Sequence, residues 1–317
     1  MSGSDTEHDS SVDGSDGIRI AVRDYGGKGQ PILLLHGAGR TLTDWSPMAE
    51  HLVRGHRVVA MDLRNHGRSG DGAWIWEAVL DDVRSVVTAL GLERPAVVGH
   101  SLGGMVAAMY GADEVDCAGA VNLDGHGMGR PEQYVGIDRQ TVIEHLADMR
   151  SRRAAALAQR GHALTESELA AVKDEFLEEA AEHGMPREFG LAALERTVTV
   201  DADGRYRLRP GIEAAEELSA RIGELDLMAL YRRVRCPLLV YLSLGREPGG
   251  EQGRSEEEPS SLLELMAAYR VGLRQDLTAV TEDCPTVEFR QVEATHGMIV
   301  EVPEFLAAQI SEFLRAG

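Results

Sequence analysis

Compact apolar runs alternate with segments of helical period along the first 124 residues. Residues 18–24 alternate apolar and polar side chains, as a half-buried strand does, and Gly26-Gly27-Lys28-Gly29 turns the chain. Residues 31–35 and 57–62, the run Ala96-Val97-Val98 and residues 118–123 are short and almost wholly apolar, the pattern of strands covered on both faces. Between them, residues 45–53, 76–90 and 105–110 read as helices, the second stopped by Gly91. Strands alternating with helices at this spacing predict an α/β fold, a mainly parallel sheet with helices on both faces.

At Asp124 the rhythm breaks. From Gly125 to about residue 231 there is almost no strand pattern, but several helical stretches. One opens at Thr165-x-x-Glu168, a capping-box spacing, and runs to His183. Residues 197–200 and 205–209, joined by Asp201-Ala202-Asp203-Gly204, predict a small hairpin. The α/β rhythm resumes with a helix at 225–234 and a strand at 237–242. A Gly-, Pro- and Glu-rich loop follows, then a helix at 262–280, a strand at 287–292 and a last amphipathic helix at 303–315. The expected organisation is an acidic tail without structure at 1–16, a first core segment at 17–124, an inserted, mostly helical cap at 125–224, and a second core segment at 225–317.

Charge narrows the partners. A net charge of −20 argues against nucleic acid, anionic membrane surfaces and polyanionic substrates. The three cysteines, Cys117, Cys236 and Cys284, lie far apart without metal-ligand spacing. Neither a disulfide framework nor a metal site is expected, and a reducing cytoplasm fits. No basic-then-apolar leader opens the sequence, and no apolar run reaches the length of a membrane span.

The candidate chemistry centres on Gly99-His100-Ser101-Leu102-Gly103. A strand precedes it and a helix follows, so the glycines allow a tight bend that lifts the Ser101 hydroxyl clear of the backbone. With His36-Gly37-Ala38-Gly39, Asp62-Leu63-Arg64-Asn65-His66-Gly67-Arg68-Ser69 and Thr295-His296-Gly297, this motif makes four landmarks in one order. In that order they resemble the α/β-hydrolase superfamily, over roughly 18–123 and 225–315. The resemblance implies Ser101 as nucleophile, His296 as general base, and an oxyanion hole from the backbone N–H groups of Ala38 (or Gly39) and Leu102. It implies structural hydrogen bonding for His36, His66 and His100.

The acid departs from the common pattern of that superfamily. Where relatives often carry Gly-x-x-Asp, this chain reads Ser243-Leu244-Gly245-Arg246-Glu247-Pro248-Gly249. Glu247 is one candidate there. Asp124, directly after the strand at 118–123, is the favoured one, because a short side chain at a strand end is well placed to orient an imidazole. Trp45, His126, Met128 and Tyr134 lie in segments expected to face substrate. Ser101 in place of a carboxylate nucleophile argues against haloalkane dehalogenase and epoxide hydrolase chemistry. The implied reaction is hydrolysis of an ester or lactone of a medium-sized, largely apolar small molecule, without metal or organic cofactor. Carbon–carbon bond hydrolysis, acyl transfer or cyclisation in small-molecule biosynthesis, and ligand reception on a hydrolase scaffold stay open as alternatives.

Overall fold

The computed structural model describes residues 8–127, 129–160, 162–245 and 260–316. In chain order these form β1 (His8–Asp13), β2 (Arg19–Gly26), β3 (Gln30–Leu35), α1 (Ser46–Leu52), β4 (His56–Met61), α2 (Trp76–Ala89), β5 (Ala96–His100), α3 (Leu102–Asp113) and β6 (Gly119–Leu123). After β6 come α4 (Arg139–Arg160), α5 (Glu166–Glu182), α6 (Arg187–Thr197), β7 (Val198–Val200), β8 (Tyr206–Leu208) and α7 (Ile212–Glu224). Then come α8 (Leu227–Tyr231), β9 (Leu238–Ser243), α9 (Ser260–Asp283), β10 (Val287–Val292), α10 (Met298–Glu301) and α11 (Pro303–Ala316).

Eight strands form one sheet in the order β1-β2-β4-β3-β5-β6-β9-β10. From β4 to β10 every neighbouring pair is parallel, while β2 runs antiparallel to both β1 and β4. Strand alternation divides the core into two. Leu33, Leu35, Val97, Leu238 and Val240 point to the face covered by α2, α3, α8 and α9. Ile32, Leu34, Val98, Leu239 and Tyr241 point to the face covered by α1, α10 and α11. Both faces are dry, which is why these strands read as continuous apolar runs rather than as alternation.

One expectation needs correction. Residues 8–13 are not an unstructured tail but the edge strand β1, paired with β2 from His8↔Asp24 to Asp13↔Arg19. Backbone pairing needs no apolar side chain, and of this strand only Val12 enters the core. The acid that looked solvated is paired instead: Asp9 meets Arg23 at 2.7 Å, Arg68 at 3.1 Å, and also Arg196. Residues 1–7 lie outside the described residues.

The expected hairpin in the inserted segment forms as β7 and β8, in register from Val198↔Leu208 to Val200↔Tyr206. Buried Arg196 of α6 ties this segment to the sheet, its Nε donating to Asp62 Oδ2 at 2.7 Å just past β4. No helix among the described residues is long and apolar enough to cross a membrane.

Candidate active site

The chain leaves β3 toward β4 on one side and returns through β5 to the other, so the loops after β3 and β5 diverge above the sheet. Such a switch point, at the carboxyl ends of parallel strands, is where ligands bind in open α/β sheets. The loops after β3, β5, β6 and β10 bring Ala38, Ser101, Asp124 and His296 to a single cavity of about 350 Å³.

Ser101 stands between β5 and α3 with φ 52° and ψ −115°, a left-handed backbone that a non-glycine residue holds only under constraint. The constraint comes from close packing. A Cβ on Gly99 would sit 1.9 Å from the Gly103 carbonyl oxygen, and one on Gly103 would sit 2.0 Å from that of Leu35. The two glycines therefore let β5, α3 and β3 approach closely enough to form the bend. The Ser101 N–H donates across the sheet to the Leu123 carbonyl at 2.9 Å. Leu102 opens α3, where no preceding helical carbonyl can accept its N–H. The Ala38 N–H has no protein acceptor among the described residues. Both residues line the cavity beside Ser101.

Asp124 follows β6, also at positive φ (57°). Its Oδ1 accepts the Ser243 N–H at 2.8 Å, and its Oδ2 accepts the Ser243 hydroxyl at 2.8 Å and His296 Nδ1–H at 2.7 Å. Burial opposes ionisation here, but the His296 bond, nearby His126 and the Ser243 N–H prevail and hold the carboxyl well below its ordinary range. The alternative acid Glu247 lies outside the described residues.

His296 sits on the loop from β10 to α10 with its side chain 58% exposed. Its carbonyl accepts His100 Nε2–H at 2.7 Å, and the two rings lie 4.7 Å apart. Glu301 braces the same loop by accepting the Thr295 N–H at 2.9 Å and the Thr295 hydroxyl.

The histidines in the landmark motifs are buried. Nδ1–H of His36 donates to the Gly37 carbonyl at 2.8 Å, while its Nε2 accepts the Leu63 N–H at 2.9 Å. Burial, with the nearby Arg196 and Arg40 cations, lowers its pKa to about 4. Burial likewise lowers His100 to about 4 and His66 to about 3, each helped by a neighbouring histidine.

The residues expected to face substrate divide. His126 lines the cavity and donates from Nε2 to the Tyr241 carbonyl at 2.9 Å. Trp45 does not face it. Trp45 is fully buried between α1 and the sheet, because the short turn before α1 directs the indole inward. Tyr134 is also buried, its ring 5.3 Å from that of Tyr269, so it packs behind the cavity rather than in it. Met128 lies outside the described residues.

Sequence reasoning missed two contributors. Ser243 stands at the end of β9 and donates its N–H and hydroxyl to Asp124, which follows the neighbouring strand β6. Helix α9 brings Tyr269 and Arg270 to the cavity wall. The sequence predicts that helix, but not the direction in which it faces. Among the described residues no cluster of His, Cys, Asp and Glu could hold a metal ion.

Comparison with known proteins agrees with this architecture. Residues 32–309 match the description "Alpha/beta hydrolase family", and the chain belongs to that family. It is 42% identical over 103 residues to the non-heme haloperoxidase of Rhodococcus erythropolis, covering 31% of this chain and 37% of that one. It is 30% identical over 139 residues to esterase YbfF of Escherichia coli (strain K12), covering 42% and 53%. The matched stretches thus span about half or less of those curated relatives. Among solved structures, E-2-(acetamidomethylene)succinate hydrolase superposes with a TM-score of 0.69 at 18% identity, over 98% of this chain and 99% of that one. The epoxide hydrolase VrEH1 from Vigna radiata does so at 0.68 and 15% identity, over 100% of both chains. At these identities the structural likeness concerns the fold.

Proposed function

We propose that the protein is a serine hydrolase that cleaves a carboxylic ester or lactone of a medium-sized small molecule. The observation that carries this reading is the 2.7 Å bond between His296 Nδ1 and Asp124 Oδ2, made at the wall of the cavity that also holds Ser101. With Nδ1–H committed to Asp124, the proton-free nitrogen of neutral His296 is Nε2, the atom a general base needs.

In this mechanism His296 Nε2 removes the Ser101 hydroxyl proton as Oγ attacks the substrate carbonyl. The Ala38 and Leu102 N–H groups receive the negative charge that develops on the carbonyl oxygen. Losing one such donor would cost on the order of 3 kcal/mol in the transition state. The tetrahedral intermediate collapses, and protonated His296 gives its proton to the leaving oxygen. Water, deprotonated by His296, then releases the acid from Ser101. Asp124 stays ionised throughout and stabilises the imidazolium. Its three hydrogen bonds, two of them from Ser243, support that role. The inserted segment 125–224 acts as a cap. Ile222 of α7 already contributes to the cavity wall, and substrate selection is assigned to this segment.

Hydrolysis of p-nitrophenyl butyrate by folded wild type, Ser101→Ala, Asp124→Asn and Glu247→Gln tests the reading. Both of the first two variants are expected to lose about 10³-fold or more in kcat, with Glu247→Gln close to wild type. Collapse at Glu247 with a fully active Asp124→Asn would move the acid to the other strand. Undiminished turnover by Ser101→Ala would exclude the serine mechanism.

A further inference from the structure

Four residues of α9 line the Ser101 cavity: Met266, Tyr269, Arg270 and Leu273. They lie at i, i+3, i+4 and i+7, the single stripe that a helix turns toward what it covers. Arg270 is the one cation in that stripe; it is solvent-exposed where it lines the cavity, so its guanidinium is accessible from solution.

Its guanidinium lies close to the strand side. Gly245, just beyond β9, has φ +76°, and a Cβ there would come within 3.1 Å of both Arg270 Nη1 and Nη2. The guanidinium therefore rests against bare backbone two residues after Ser243, the partner of Asp124. No carboxylate among the described residues pairs with it. Asp124, the carboxylate on the same cavity wall, is already engaged by Ser243 and His296.

We propose that Arg270 forms an anion subsite of the Ser101 cavity, so that the natural substrate is an ester or lactone carrying a carboxylate. A guanidinium fork matches a carboxylate with two parallel hydrogen bonds. One fork in a cavity of about 350 Å³ fits one small anion. The net charge of −20 works against polyanions approaching from solution, which leaves a single carboxylate as the class that both fields accept. This rests on the ester-hydrolase reading, and it makes the substrate an acid with an apolar body rather than a neutral molecule.

The test compares mono-p-nitrophenyl adipate with its neutral counterpart, p-nitrophenyl methyl adipate, on wild type, Arg270→Gln and Arg270→Lys. Wild type is expected to favour the free acid by about 10- to 100-fold in kcat/KM. Arg270→Gln should bring that ratio near one, chiefly by raising KM for the acid. Arg270→Lys should keep part of the preference, and 0.5 M NaCl should shrink it. Calorimetric binding of monomethyl adipate to Ser101→Ala, with and without Arg270→Gln, reads the same subsite without turnover, with loss of binding expected in the double variant. If no nitrophenyl ester is hydrolysed, the hydrolase reading fails, and calorimetry alone judges Arg270. A wild-type ratio near one, a ratio that survives Arg270→Gln, or equal binding by the two proteins overturns the proposal.

Discussion

His36, His66 and His100 are held neutral by burial, two of them with a ring nitrogen that meets no partner. In the unfolded chain each would titrate near 6.5, whereas in the fold they titrate at about 4, 3 and 4. Below pH 6.5 the unfolded state therefore binds protons that the native state refuses. Their contribution to stability is full above that value and falls on acidification toward about pH 4, with a slope of up to about 1.4 kcal/mol per pH unit for each histidine. Asp124 adds the usual carboxylate loss at still lower pH, since its folded pKa is depressed. Urea denaturation midpoints are expected to drop steadily between pH 6.5 and 4. A flat profile there would mean that these rings are not buried neutral.

Helix α5 shows how much one element can owe to its first turn. The Thr165 hydroxyl accepts the Glu168 N–H at 3.3 Å, and a Glu168 carboxylate oxygen accepts the Thr165 N–H at 2.7 Å. Both halves of the capping box are local, lying within four residues, so they were readable without any knowledge of the fold. Thr165→Ala is expected to cost about 1 kcal/mol, read as faster amide exchange confined to α5. Strand β1 is the opposite case. Its partners are the backbone of β2 and arginines far along the chain, and nothing in His8–Asp13 itself announces them. Ser243 and Arg270 are similar: one lies a residue past the strand the sequence predicts and the other in a predicted helix, but each meets a neighbour from another strand or loop.

For the whole molecule, the inserted segment is tied to the sheet through a buried charge. Arg196 is 2% exposed and Asp62 is fully buried, and Asp62 also accepts the Leu42 and Arg68 N–H groups at 2.8 Å each. Removing the cation leaves an uncompensated buried carboxylate, a loss typically of about 3–5 kcal/mol. Arg196→Met should lower Tm by several degrees and speed proteolytic nicking within 125–224, as followed by mass spectrometry. Adding Asp62→Asn should recover part of the loss, because the charge left unpaired is then gone. Independent effects of the two substitutions would separate the insert from this tie.

By itself the sequence determined the alternation of strands and helices, the break at Asp124, the glycine-bounded bend at Ser101 and the order of the landmark motifs. Each of these is a consequence of local period, turn chemistry or backbone sterics, which act between residues close in sequence. Only the tertiary structure decided that Asp124 meets His296, that Ser243 holds Asp124 in place, that Trp45 and Tyr134 pack inward, and that Arg270 lies in the cavity. Those outcomes depend on which strands become neighbours and which way a helix rolls, quantities set by the packing of the whole core rather than by any one stretch of the chain.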